Sequence, residues 1–107
     1  MLDENEFRRQ AESAMESLKQ ALIAAEDSAD IEVEDQSGAL HVSFEDGSRF
    51  VISPNTPARQ IWISALATSF KLDPSNEDFA FAKTGEHLKP LVARLINQQL
   101  GKGTVTL

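Results

Sequence analysis

Residues 57–64 read Pro57-Ala58-Arg59-Gln60-Ile61-Trp62-Ile63-Ser64 and contain the only tryptophan of the chain. Side chains alternate across a β-strand, so Ile61 and Ile63 point one way while Gln60, Trp62 and Ser64 point the other. Two strongly apolar isoleucines demand a core on their side. The largest side chain in the sequence then stands on the polar face of a sheet, either half-sheltered by its neighbours or waiting for a partner. A slip of one residue would bury the tryptophan and expose both isoleucines, so the isoleucine pair sets the register.

The same two-residue period runs outward from this stretch. Upstream, Ile31 and Val33 alternate with Asp30, Glu32 and Glu34, and Leu40, Val42 and Phe44 alternate with His41 and Ser43. Gln36-Ser37-Gly38 turns the chain between them, and Asp46-Gly47 carries hairpin chemistry into a third strand at 49–53. Pro54 and Pro57 are expected to break the pairing after it, because proline has no N–H to donate. Downstream, Phe70 and Leu72 predict a fifth strand ended by Asp73-Pro74-Ser75-Asn76, and Phe79 and Phe81 a short sixth.

Both ends of the chain change period. Asp3 and Glu6 have the spacing of an N-cap and third helical residue, and Phe7, Ala11, Ala14, Leu18, Leu22 and Ala25 recur at steps of three and four, predicting a helix over 4–25. Leu88, Leu91, Val92, Leu95 and Ile96 form a second helical stripe, with Pro90 in its first turn and Gly101 as its stop. The tail, 102–107, packs back or frays. Hairpin connections make the sheet antiparallel, and two amphipathic helices need one apolar face to cover. The expected fold is α+β: a two-layer α/β sandwich with two helices on one face of a five- to six-stranded antiparallel sheet, in a single domain spanning 1–107.

Composition narrows the chemistry. The chain is 41% hydrophobic and 25% charged, which is ordinary for a globular protein. No run approaches the ~18 apolar residues of a membrane span. Acidic residues begin at Asp3, so neither a secretory signal nor an Arg-rich presequence is expected, and a cytoplasmic location is the simplest expectation. Cysteine is absent, which excludes disulfides, a thiol nucleophile and thiolate-held zinc or iron–sulfur groups. With His41 and His87 the only histidines, any metal is held mainly by oxygen. The net charge of −7 is uneven: residues 1–35 carry eleven acidic and three basic side chains, residues 36–107 six acidic and seven basic. Such a field repels nucleic acid and anionic membranes and attracts cations or basic protein surfaces.

Glu26, Asp27, Asp30, Glu32 and Glu34 are the candidate metal ligands. Side chains two apart on a strand lie about 6.5 Å apart on one face, close enough for two carboxylates and several waters to share a hard cation. The site would be open, incompletely coordinated and weak, and geometry does not select iron over magnesium, calcium or manganese. From the residues alone, a solvated polar face is the favoured account of the cluster, although like charges this close oppose folding and favour a cation or a basic partner. Glu12 and Glu16, one helical turn apart, read as surface glutamates, and His41 as an exposed histidine of the outer face. No nucleophile–base pair or phosphate-binding glycine loop is present, so catalysis is not expected. Trp62, with Gln60, Arg59 and Ser64 around it, is the candidate partner-binding set.

These residues together resemble the frataxin family and its bacterial CyaY members. The resemblance rests on the order of elements, the acidic first helix and first strand, Phe44-Glu45-Asp46-Gly47-Ser48, Pro57-x-x-Gln60-Ile61-Trp62-Ile63, and Gly85-Glu86 before the last helix, and it runs nearly end to end. The chain departs from the family pattern in Lys19-Gln20-Ala21-Leu22-Ile23-Ala24-Ala25, where further carboxylates are usual, in the absence of glycine from Ser64 to Ser69, and in Phe79 where a tryptophan is common. The resemblance implies a protein, monomeric when free of metal, that binds iron weakly on its surface and assists or regulates iron–sulfur cluster assembly. Its implied partners are the cysteine desulfurase, met by the acidic ridge, and the scaffold protein, met by the tryptophan face. A small acidic secretion-type chaperone, which works as a dimer and wraps the partner protein it binds, is the alternative from another functional class.

Overall fold

The computed structural model describes residues 2–103 and 105–107; Met1 and Thr104, the latter in the tail expected to pack back or fray, lie outside the described residues. Asp3 caps the first helix, its carboxylate accepting the Glu6 N–H at 2.8 Å, and α1 runs from Glu4 to Ala25. Phe7, Ala11, Met15, Leu18, Leu22 and Ala25 bury one stripe of it, as a helix with its apolar residues three and four apart must. Six strands follow: β1 (Ile31–Gln36), β2 (Ala39–Phe44), β3 (Arg49–Asn55), β4 (Gln60–Ala65), β5 (Thr68–Ser75) and β6 (Asp78–Phe81). They pair in sequence order as one antiparallel sheet. The second helix, α2, spans Leu88–Leu100 and ends at Gly101, whose φ of 76° gives the left-handed stop that glycine adopts without strain.

The isoleucine reading holds: Ile61 and Ile63 are 0% and 1% exposed. They join Leu40, Val42, Phe50, Ile52, Leu72 and Phe79 on the face covered by both helices. Phe7 of α1 meets Phe79 of β6 edge to face, with ring centroids 5.8 Å apart. The Phe79 ring thereby fills the interior and carries no surface role. Among the described residues, no polar or charged side chain is buried. No helix among the described residues is long and apolar enough to cross a membrane.

Two strand ends differ from the sequence expectation. Pro54 lies inside β3, paired with Ile61, and Pro74 lies inside β5, paired with Phe79. Each proline sits beyond the end of its strand's other neighbour: the β2–β3 register stops at Leu40↔Ile52, and the β4–β5 register at Ile61↔Leu72. Both positions are locally edge positions, where a missing N–H breaks no ladder. The tail packs back through Val105, 5% exposed. The Asn97 side chain clasps it, donating to the Val105 carbonyl at 2.9 Å and accepting the Val105 N–H at 2.8 Å.

Candidate functional site

The uncovered face of the sheet carries Trp62. Its strand alternates buried and outward residues, and Trp62 is 37% exposed between two fully buried isoleucines. Across the ladder it faces Ser53 on β3 and Lys71 on β5, while Ser64, two residues on, faces Val51 and Ser69. The serines among these neighbours leave the indole standing above the sheet. Its Nε1–H donates to Gln60 Oε1 at 2.8 Å, and Gln60 Nε2 donates to Asp73 Oδ1 at 2.9 Å. The Lys71 ammonium sits 4.9 Å from the ring centroid, within cation–π range.

Of the four residues assigned to this set, Gln60, Trp62 and Ser64 share the outer face. Arg59, the residue before β4, does not join them. It adopts a left-handed φ of 55°, and its guanidinium turns back to donate to the Thr56 carbonyl. Arg59 instead lines an open hollow with Glu6, Arg9, Gln10 and Glu77 near the start of α1. Lys71 and Asp73 were missed in the sequence. The signal was there, because Phe70 and Leu72 facing inward put Lys71 and Asp73 outward, but only the β4–β5 register places them beside Trp62 and Gln60.

The five carboxylates lie along the free edge of β1 and the end of α1. Glu26 is the C-cap of α1, and its carboxylate accepts the backbone N–H of Val33 at 2.8 Å. It therefore occupies a hydrogen-bonding position on the open edge, the kind of cover that blocks pairing with another chain. Asp27, in the turn after the helix, is exposed. Glu26, Asp30 and Glu32 border a shallow groove floored by Ile31 and Phe44, and Glu45 joins them there from the β2–β3 hairpin. Glu34 accepts from Gln36 Nε2 at 2.8 Å and lies opposite His41 across the ladder. Asp35, also missed in the sequence, breaks the run by pairing with Lys19 at 3.3 Å.

Among the described residues, no three His, Asp or Glu side chains come together as a metal-holding group. The carboxylates form a ridge of single and paired oxygens rather than a cage. A ridge of this kind concentrates cations by its field and leaves most of their hydration shell in place.

A frataxin-like domain is matched over residues 1–102. The iron–sulfur cluster assembly protein CyaY of Cupriavidus metallidurans is 32% identical over 108 residues, which cover 99% of this chain and 96% of that protein. Among solved structures, frataxin from Psychromonas ingrahamii superposes with a TM-score of 0.79 at 22% identity, covering 98% of this chain and 97% of that one. Trimeric frataxin from Saccharomyces cerevisiae, complexed with ferrous iron, superposes with a TM-score of 0.70 at 21% identity and 87% coverage of each chain.

Proposed function

The chain belongs to the frataxin-like family, and on that footing we propose that it is a non-enzymatic accessory protein of iron–sulfur cluster assembly. In this reading it binds iron weakly along the Glu26–Glu34 ridge. It docks the cysteine desulfurase through that acidic edge and the scaffold complex through the Trp62 face. The observation that carries the reading is Trp62, held in one orientation on a sheet face that no helix covers. An exposed, pre-oriented tryptophan rimmed by polar side chains has the make-up of an interface anchor.

The acidic edge supports the other half. Eleven acidic side chains in the first 35 residues raise the encounter rate with a basic surface, an effect that added salt screens. Ferrous iron is a hard cation served by carboxylate and water, and loose coordination suits an ion that must be passed on. The relative crystallised with ferrous iron and the relative named for cluster assembly make iron the cargo of choice among the oxygen-binding cations.

The test is a pull-down with purified desulfurase and scaffold, with and without ferrous iron, using the wild-type chain and Trp62→Arg. The wild type should retain both partners. Trp62→Arg should lose about thirtyfold in affinity, the loss of about 2 kcal/mol that marks an interface anchor, with an unchanged melting curve. Retention of both partners by the variant would sink the docking role. In the same samples, paramagnetic broadening by iron should centre on residues 26–34; broadening spread evenly over the surface would sink the metal role.

A further inference from the structure

The register Ile61↔Leu72 sets Gln60 beside Asp73 and Trp62 beside Lys71 on the outer face. A carboxylate only accepts hydrogen bonds, whereas a glutamine amide both donates and accepts and is free to turn end for end. Asp73 removes that freedom. Its Oδ1 draws the Gln60 NH2 toward it at 2.9 Å, which leaves Gln60 Oε1 facing the indole, where it takes the Nε1–H at 2.8 Å. Lys71 holds one ring face. The indole is thus fixed at its nitrogen and on one face, and its single donor is already used.

We infer that Asp73 is a positioning residue for Trp62, acting through the Gln60 amide, and that it sets the pose in which the indole meets a partner. The partner-binding half of this inference rests on the docking role proposed above. With the N–H engaged, the partner meets an apolar ring face and the neighbouring Lys71 ammonium. The complementary chemistry is an aliphatic or planar group laid over the ring, flanked by a carboxylate for Lys71. Holding the ring in place before contact reduces the ordering lost on association.

The chain has one tryptophan, so its indole signals are unambiguous. The test compares the full chain with Asp73→Ala and Asp73→Asn, reading indole N–H exchange, fluorescence anisotropy and affinity for the desulfurase–scaffold complex. Asp73→Ala should speed indole exchange and lower the anisotropy, and should weaken partner affinity about two- to tenfold, the range of one net hydrogen bond. Asp73→Asn keeps a carbonyl that can accept from the Gln60 NH2 but is itself free to turn, so all three readouts should fall between those of the wild type and Asp73→Ala. Unchanged indole signals in Asp73→Ala overturn the inference. So does an Asp73→Asn variant as impaired as Asp73→Ala, since an acceptor placed beside the Gln60 NH2 would then contribute nothing to the pose of the ring. Trp62→Ser separates the two ideas: full partner binding by that variant overturns the docking role, while the Asp73→Ala indole signals still decide the positioning of the ring.

Discussion

At the scale of single residues, Glu86 gives the clearest electrostatic prediction. Arg94 donates to both of its oxygens, at 2.7 and 2.8 Å, and Thr84 Oγ1 adds a third bond at 2.8 Å. The hydrogen bonds from Arg94 hold the Glu86 carboxyl below the ordinary glutamate value of 4.5, against a smaller opposing effect of burial. A depressed carboxylate contributes stability that is present above its unfolded value and is lost as pH falls through its folded value. Glu86→Gln should therefore be less stable than wild type at pH 7, by under about 1 kcal/mol because the pair is half-exposed. The difference should shrink as pH drops below 4.5. Urea midpoints of both proteins across pH 3–7 check it, and a difference independent of pH would contradict it. The Trp62 exposure was legible from alternation; Arg59 joined the set only by its nearness in sequence, and its left-handed backbone and its bond to the Thr56 carbonyl take it elsewhere. Likewise, nothing in the sequence marks Glu26 as the carboxylate that reaches back to Val33.

At the scale of elements, the turns carry the strain. The β4–β5 turn puts Leu66 and Ala67 at φ of 53° and 59°, and the β5–β6 turn puts Asn76 and Glu77 at 49° and 64°. Two-residue hairpin turns with both φ positive favour Asn-Gly, and Ala or Leu in that conformation is strained by about 1–2 kcal/mol. Leu66 packs against the core, but Ala67 is exposed. Ala67→Gly should raise stability by about 1 kcal/mol or less, since glycine's extra unfolded-state freedom offsets part of the relief. Ala24→Gly, the same change on the exposed side of α1, should lower stability by about 1 kcal/mol. Opposite shifts of the two denaturation midpoints check the backbone argument; shifts of one sign would refute it. Strand positions were readable here because alternation marks them. The turn at 66–67 was not, since neither residue is a turn former, and the β4–β5 ladder imposes it. Pro54 and Pro74 mislead for the complementary reason: a proline's tolerance depends on whether a neighbouring strand reaches it.

At the scale of the whole molecule, charge dominates. The acidic first third folds into α1 and β1, adjacent along one edge of the sheet. Self-repulsion there opposes the compact state and is screened by ions. The melting temperature should rise with sodium chloride and rise further with millimolar magnesium or calcium at matched ionic strength. A gain of about 1 kcal/mol corresponds to a few degrees for a chain of this size. Replacing Glu26 and Glu32 with glutamine should remove most of the divalent increment. Thermal scans check this, and equal responses to monovalent and divalent salt would show that the ridge acts as diffuse charge alone, with no local cation sites.

Local pattern alone determined the elements, the one-sided sheet and the outward tryptophan. Periods of two and of three-to-four residues record which side chains must leave water, and burial of those side chains is the main force in folding. The tertiary structure decided what touches what. The strand registers brought Lys71 and Asp73 to Trp62 and Gln60 and let two prolines sit inside strands, while the turn before β4 took Arg59 aside. They also brought Glu45 from the next hairpin to the groove of Glu26, Asp30 and Glu32, while the helix-facing side of β1 took Asp35 to Lys19. Hydrogen bonds and ion pairs between residues distant in sequence leave no period behind them. For that reason the docking face was legible as a position and only the fold supplied its chemistry.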